Sequence, residues 1–225
     1  MLKRPGKRYL LHFGAVDFAC ECIVNGHPVG SHRGGYTPFS FDITDALQAF
    51  GDAESVATID LAVRDPSETG TQPRGKQRLD RGSIWYTAQS GIWQTVWMEE
   101  VSDPYVEKLD VRTNEDMLQL RVHVAGNIGD TERALSVDVF DEGELVASAS
   151  ASAQGPGPHD IELTLENTRL WSPADPHLYD LGISYGEDAV GSYCAFRSFT
   201  IERVEADHAN GVDLSLIHIS EPTRQ

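Results

Sequence analysis

Met117-Leu118-Gln119-Leu120-Arg121-Val122-His123-Val124 places an apolar side chain at every second position and alternates polar ones between them. A period of two is the repeat of a half-buried β-strand, whose successive side chains leave on opposite faces. A helix would space its apolar residues by three and four. The same alternation continues on both sides of this stretch: Leu135, Val137 and Val139 share one face, as do Ile161, Leu163 and Leu165. Asp141-Glu142-Gly143, lying between two such runs, reads as a hairpin connection.

Working outward, strands are expected at 105–112, 117–124, 134–140, 144–150, 159–165, 178–185 and 190–203. Seven short strands in about 100 residues is the pattern of an immunoglobulin-like sandwich, here without the Cys…Trp…Cys pin of antibody domains. Upstream, Phe18, Cys20, Cys22 and Val24 alternate, and Asn25-Gly26 follows. That dipeptide best tolerates the two positive φ angles of a type I′ hairpin turn. Further strands are expected at 39–43, 56–63 and 92–101, and only 44–50 reads as a short capped helix. The boundary between the halves is expected near Val101-Ser102-Asp103-Pro104.

The 225 residues carry a formal charge of −17, which argues against a duplex-binding protein, since an acidic chain repels phosphate. The charge is unevenly spread. Residues 1–102 hold ten basic and twelve acidic side chains, whereas 103–213 hold seven and twenty-two, so two units with different surfaces are expected. Cys20, Cys22 and Cys194 are too few and odd in number for a disulfide framework and read as buried thiols. No run of 18 apolar residues is present, so no membrane helix is expected. The start imitates a signal peptide only up to His12, Asp17 and Glu21, which interrupt its apolar run; a cytoplasmic location is the expectation.

Between the strands ending near Val63 and starting at Ile92 lies a long loop. It holds Arg74, Lys76, Gln77 and Arg78, then Arg81 and Trp85-Tyr86. Aromatic faces stack on sugar C–H surfaces while Arg, Lys and Gln donate hydrogen bonds to hydroxyls. Arg74, Lys76, Gln77, Trp85 and Tyr86 are therefore the candidate substrate-binding residues. A solvated loop with Trp85 tucked onto the sandwich is the competing reading. No nucleophile elbow, HExxH, glycine-rich phosphate loop or zinc-ligand spacing occurs, so no catalytic residue, metal ligand or cofactor is assigned. His12 and His123 lie in strand patterns and read as hydrogen-bonded structural residues. Trp93 and Trp97 read as core residues on one strand face, and Trp171 as a core or wedge residue in preference to a ligand contact.

Three sets of residues go beyond pattern. The first is Leu11-His12-Phe13-Gly14-Ala15-Val16-Asp17, with Val24-Asn25-Gly26 and Gly34-Gly35-Tyr36-Thr37-Pro38-Phe39-Ser40-Phe41-Asp42-Ile43-Thr44. The second is Ser90-Gly91-Ile92-Trp93-Gln94-Thr95-Val96-Trp97, and the third is Leu170-Trp171-Ser172-Pro173 with Pro176, Leu178, Tyr179 and Phe196-Arg197. Together they resemble the sugar-binding jelly roll and the following immunoglobulin-like domain of glycoside hydrolase family 2, which includes β-galactosidases, β-glucuronidases and β-mannosidases. The resemblance implies an all-β chain: a partial jelly-roll (galactose-binding-like) sandwich, N-terminally incomplete, at 1–102, and an immunoglobulin-like β-sandwich at 103–203. A linker at 204–213 would lead toward a (β/α)₈ barrel carrying two catalytic glutamates in a retaining mechanism. No position in the chain matches either catalytic motif. The galactosidase branch has an aspartate six residues before the motif glycine; Trp85 stands there, which lowers the expectation of a strict β-galactosidase.

Leu214-Ser215-Leu216-Ile217-His218-Ile219-Ser220-Glu221-Pro222-Thr223-Arg224 looks like the in-frame translation of a sequencing-library adapter, so 214–225 is set aside as an artefact. The expectation is thus a fragment of a retaining β-glycosidase, inactive alone, with carbohydrate as its partner through the long loop and possible homo-oligomerisation in the full-length parent. A stand-alone carbohydrate-binding module and a purely structural β-sandwich pair are the alternatives.

Overall fold

A computed structural model describes residues 4–48, 56–127, 129, 132–198, 200–201 and 217–218. Parts of the sequence reading lie outside these residues: Ala49-Phe50 of the short helix, Glu202-Arg203, the linker, and the tail apart from Ile217 and His218. The chain divides into two units, Met1–Asp103 and Pro104–Gln225.

The first unit contains β1 (Lys7–Phe13), β2 (Val16–Asp17), β3 (Ala19–Val24), β4 (His27–Arg33), β5 (Phe39–Asp42), α1 (Thr44–Gln48) and β6 (Ile59–Arg64), followed by β7 (Gln77–Arg78), β8 (Tyr86–Thr87), β9 (Gly91–Ile92) and β10 (Val96–Ser102). The second contains β11 (Tyr105–Thr113), β12 (Met117–Ala125), β13 (Arg133–Asp141), β14 (Glu144–Ala153), β15 (Gly157–Thr164), β16 (Tyr179–Tyr185), β17 (Asp188–Cys194), β18 (Thr200–Ile201) and β19 (Ile217–His218). The architecture is all-β; no described helix is long and apolar enough to cross a membrane.

In the second unit, β11-β12-β15 form one sheet and β14-β13-β16-β17 the other. Leu118, Leu120, Val122 and Val124 are buried against Leu135, Val137, Val139, Leu181 and Ile183, as the alternation requires. Asp141 pairs with Glu144 across a two-residue turn in which Glu142 and Gly143 both have positive φ, 50° and 90°, the geometry that matches strand twist. Strand β17 ends at Cys194, short of the expected 203. Past it, the Thr113 hydroxyl and the Trp171 amide take the carbonyls of Ala195 and Phe196, so those groups are bonded outside any strand ladder. Ile217–His218 pairs with Thr200–Ile201.

The first unit has sheets β10-β1-β5 and β4-β3-β6. Asn25 and Gly26 have φ of 51° and 80° and join β3 to β4 in a two-residue turn, so the type I′ expectation holds. Strand β4 carries Pro28 and lies at the sheet edge, where a missing N–H costs least. Tyr9, Leu11, Phe13, Cys20, Cys22 and Val24 are buried together. Burial pushes the Cys194 thiol up to about 11 and raises those of Cys20 and Cys22, so all three free cysteines stay protonated at neutral pH.

The expected strand 92–101 is broken. Gly91–Ile92 pairs with Val16–Asp17, whereas 96–102 pairs with β1, so the two pieces belong to different sheets. Trp93 lies in the break, and neither it nor Trp97 is a core residue. Trp93 is 50% exposed, packs edge-on to Tyr36 and donates its indole N–H to the Gly35 carbonyl at 2.7 Å. Trp97 is 46% exposed and stacks on His12 across the outward face of the β1/β10 pair. Leu11 and Phe13 already fill the inward face of β1, and Trp97, opposite His12, takes the outer one.

In the second unit the inner faces of β12, β13 and β16 are fully buried, whereas in the first Val96, Met98, Ile59 and Val63 stay exposed beside buried strand partners. Leu120→Ala should therefore cost about 2–5 kcal/mol of unfolding free energy and Met98→Ala under about 1 kcal/mol. Denaturant titration of the two variants checks this; equal losses would contradict it.

Candidate functional site

The long loop starts at the end of β6 and is tied down by one carboxylate. Asp65 accepts the Ser67 amide at 2.7 Å through Oδ1, an Asx turn, and the Ser90 hydroxyl at 2.6 Å through Oδ2. It thereby joins the loop's first residue to the approach of β9, 25 positions later. Gln72 Nε2 donates to the carbonyls of Ser67 and Thr69 at 3.0 and 2.9 Å. Lys76 to Tyr86 are joined through a backbone bond of 2.7 Å, which opens the parallel β7/β8 pair. The loop thus contains a short ladder where the sequence suggested an irregular stretch.

These bonds shape a narrow cleft of about 10 Å³, room for little more than one water, lined by Asp17, Asp65, Glu68, Gln72, Arg74 and Gln77, among others. Asp17 comes from β2. Its carboxyl is raised above the ordinary range by burial and, secondarily, by the charge of Asp65. Buried Gly35 keeps it in place: a Cβ there would stand 2.6 Å from Asp17 Oδ1. Arg74 makes one long contact, 3.4 Å to the Gly70 carbonyl, and so retains most of its five donors.

Of the five residues singled out from sequence, Arg74 and Gln77 line this cleft. Gln77 has its side-chain oxygen engaged by the Gln89 amide at 2.8 Å. Lys76 is exposed. Trp85 is half-buried, with the Arg78 guanidinium 4.0 Å above its ring, and Tyr86 is 70% exposed. The two aromatics do not line the cleft. Asp17, Asp65, Glu68 and Gln72 were missed. Asp65-Pro66-Ser67 carries a readable turn signal, but the strand–loop approach that brings Asp17 in has no local signature.

Other expectations about side chains hold. His12 bonds Ser40 Oγ at 2.9 Å and Glu99 at 3.1 Å, and His123 bonds Asp110 at 2.8 Å. Trp171 is half-buried under the Arg197 guanidinium, 4.5 Å from its ring.

Comparison with known proteins agrees with the fold. Residues 101–197 match the family model described as Glycosyl hydrolases family 2. A β-galactosidase of Thermoanaerobacter pseudethanolicus is 26% identical over 186 residues, covering 79% of this chain and 24% of its own length. A putative β-glucuronidase of Formosa agariphila is 25% identical over 215 residues, covering 91% and 25% respectively. The crystal structure of Parabacteroides merdae β-glucuronidase superposes with a TM-score of 0.74 at 18% identity, covering 90% of this chain and 27% of that one. A putative β-galactosidase from Bacteroides fragilis gives 0.68 at 19%, covering 88% and 31%. Residues 101–197 therefore match the family 2 pattern, in a chain similar along most of its length to β-galactosidases and β-glucuronidases. The chain spans about a quarter of the length of the curated relatives named.

Two predictions follow from the cleft. Asp65→Ala removes two short bonds to a charged acceptor, so it should cost about 1–3 kcal/mol and speed proteolysis between 66 and 76; unchanged cleavage would contradict the anchoring role. Asp17→Asn should raise stability at neutral pH. The wild-type carboxyl has a folded pKa above its unfolded one, so wild type gains stability as pH falls through that range. The two proteins should converge below the ordinary carboxylate pKa of about 4, and thermal melts across pH read this directly.

Proposed function

We propose that the chain supplies the carbohydrate-contacting and spacer domains of a family 2 retaining β-glycosidase, and is inactive alone. Hydrolysis of the O-glycosyl bond would be carried out by two glutamates on a (β/α)₈ barrel outside this sequence. The convergence of Asp17, Asp65, Glu68, Gln72 and Arg74 on one cleft carries this proposal. Carboxylate oxygens and the Gln72 side-chain carbonyl accept from sugar hydroxyls and Arg74 donates to them, so a sugar would lie across the mouth of the cleft. Three carboxylates against one guanidinium favour a neutral pyranoside over a uronic acid, whose own charge would meet a net negative wall.

A spacer role without sugar contact is favoured by one observation: Trp85 and Gln77 are engaged within the loop, by Arg78 and the Gln89 amide. Calorimetric titration separates the two. Methyl β-galactoside or β-glucoside should bind, the glucuronide more weakly, and Arg74→Ala should weaken the neutral ligands about tenfold or more. Heat from none of the three sugars would leave the spacer role. The chain should not turn over aryl β-glycosides; hydrolysis abolished by a substitution within it would overturn the inactivity.

A further inference from the structure

A second group of polar side chains lies at the tip of the β13–β14 hairpin, within the second unit. Asp141 is the last residue of β13 and Glu142 the first of the turn. Facing them is His177, held by the segment that leads into β16. That segment is tightly braced. Arg169 grips Asp175 through two bonds of 2.8 and 2.6 Å, and the Asp175 amide is bonded to Ser172 Oγ at 3.0 Å. The His177 amide donates to the Asp175 carbonyl at 2.8 Å, and the Tyr179 hydroxyl accepts the Arg169 amide at 2.8 Å.

The His177 side chain is only 8% exposed, and its Nε2 stands 2.9 Å from Asp141 Oδ1. That separation is short enough for an ion pair, yet the two atoms are not aligned as a hydrogen bond. Both are buried with no hydrogen-bond partner. Buried polar atoms without partners are rare and costly. Two lone-pair donors converging at this distance resemble one edge of a coordination polyhedron, because bonds of about 2.0–2.2 Å to a common ion separate neighbouring ligands by roughly 3 Å. Glu142 supplies a third donor: the three ligand atoms lie within 4.8 Å of one another. Its side chain is 80% exposed and can swing inward. The nearby cation, Arg169, is 3.7 Å from Glu142 and is already occupied by Asp175.

We propose that Asp141, Glu142 and His177 form a binding site for a first-row divalent cation, with zinc the best match to one imidazole and two carboxylates. Water would complete the shell. An imidazole donor disfavours calcium and magnesium, which prefer all-oxygen sites. The bound ion ties the hairpin tip to the segment before β16 and so clamps two strands of the four-stranded sheet. No spacing motif marks the site, because its residues lie 36 positions apart and meet only when β13 pairs with β16.

The test uses the full chain stripped with a chelator and titrated with Co²⁺ and Zn²⁺. Expected are one equivalent of Co²⁺ giving a d–d absorption band that Zn²⁺ displaces, and a rise of several degrees in the melting midpoint when Zn²⁺ exceeds its dissociation constant a hundredfold. Mg²⁺ and Ca²⁺ should give neither. Glu142→Gln, at an exposed turn position, should keep the fold and weaken Co²⁺ binding about tenfold or more, while His123→Gln should leave it unchanged. His177→Asn should abolish binding. If that variant does not fold, the shift of the His177 ring signals on adding Zn²⁺ to the wild type decides the matter. Absence of the band, affinity unaffected by Glu142→Gln, or ring signals that do not move would each overturn the site.

Discussion

The second unit depends on which face of β12 points inward. Leu118, Leu120, Val122 and Val124 fill the space opposite Leu135, Val137 and Val139. A slip of one residue would exchange them for Gln119, Arg121 and His123, burying a guanidinium and an imidazole in an apolar layer. Each large aliphatic side chain contributes about 1.5–3 kcal/mol when fully buried, so the wrong register is excluded by a wide margin. The outer face follows from the same choice. Arg121 meets Asp160 through bonds of 2.7 and 3.0 Å, Gln119 meets Glu162 at 2.9 Å, and His123 meets Asp110 at 2.8 Å. The first two contacts are exposed and individually weak and the third is part-buried; all three are consequences of the register more than its cause.

The first unit obeys the same rule less completely. Leu11 and Phe13 are buried while Met98 and Val96, directly across the ladder, are exposed; Cys20 and Val24 are buried while Val63 and Ile59 are not. Among the described residues nothing pairs with the far edges of β6 and β10. Such edges offer unpaired backbone groups beside apolar side chains, an arrangement that invites further strand pairing. Aromatic stacking supplies part of what the thin core lacks: Phe13 lies against Phe39, and Phe39 against His32.

Local signals were the legible ones. Period two located most strands of the second unit and β3, β5 and β6 of the first, and Asn25-Gly26 and Glu142-Gly143 marked turns whose positive φ angles the structure adopts. Those features depend on residues adjacent in sequence. The fates of Trp93 and Trp97 do not. Alternation placed them on one strand face, but Trp93 falls in the break and the face of Trp97 depends on Leu11 and Phe13 having taken the inner side of β1. The break at Trp93-Gln94-Thr95 was hidden because both flanking pieces look like strand and differ only in partner. The cleft was half legible. Arg74 and Gln77 stood out as polar loop residues, whereas Asp17 reaches it from β2. Asp141 and His177 were invisible for the same reason.

The loop's internal bonding bears on what it can hold. A loop of this length without secondary structure would lose much of its affinity to the entropy of ordering. Here Asp65, Gln72 and the β7/β8 pair hold the loop through bonds within the chain. The donors that remain least engaged are those of Arg74, at the cleft wall. The acceptors are held in place by the loop's own structure, while the Arg74 guanidinium is exposed and held by one long bond. The two aromatic residues that first suggested sugar binding lie outside the cleft lining. Trp85 lies beneath Arg78 and braces the ladder from which Gln77 reaches the cleft.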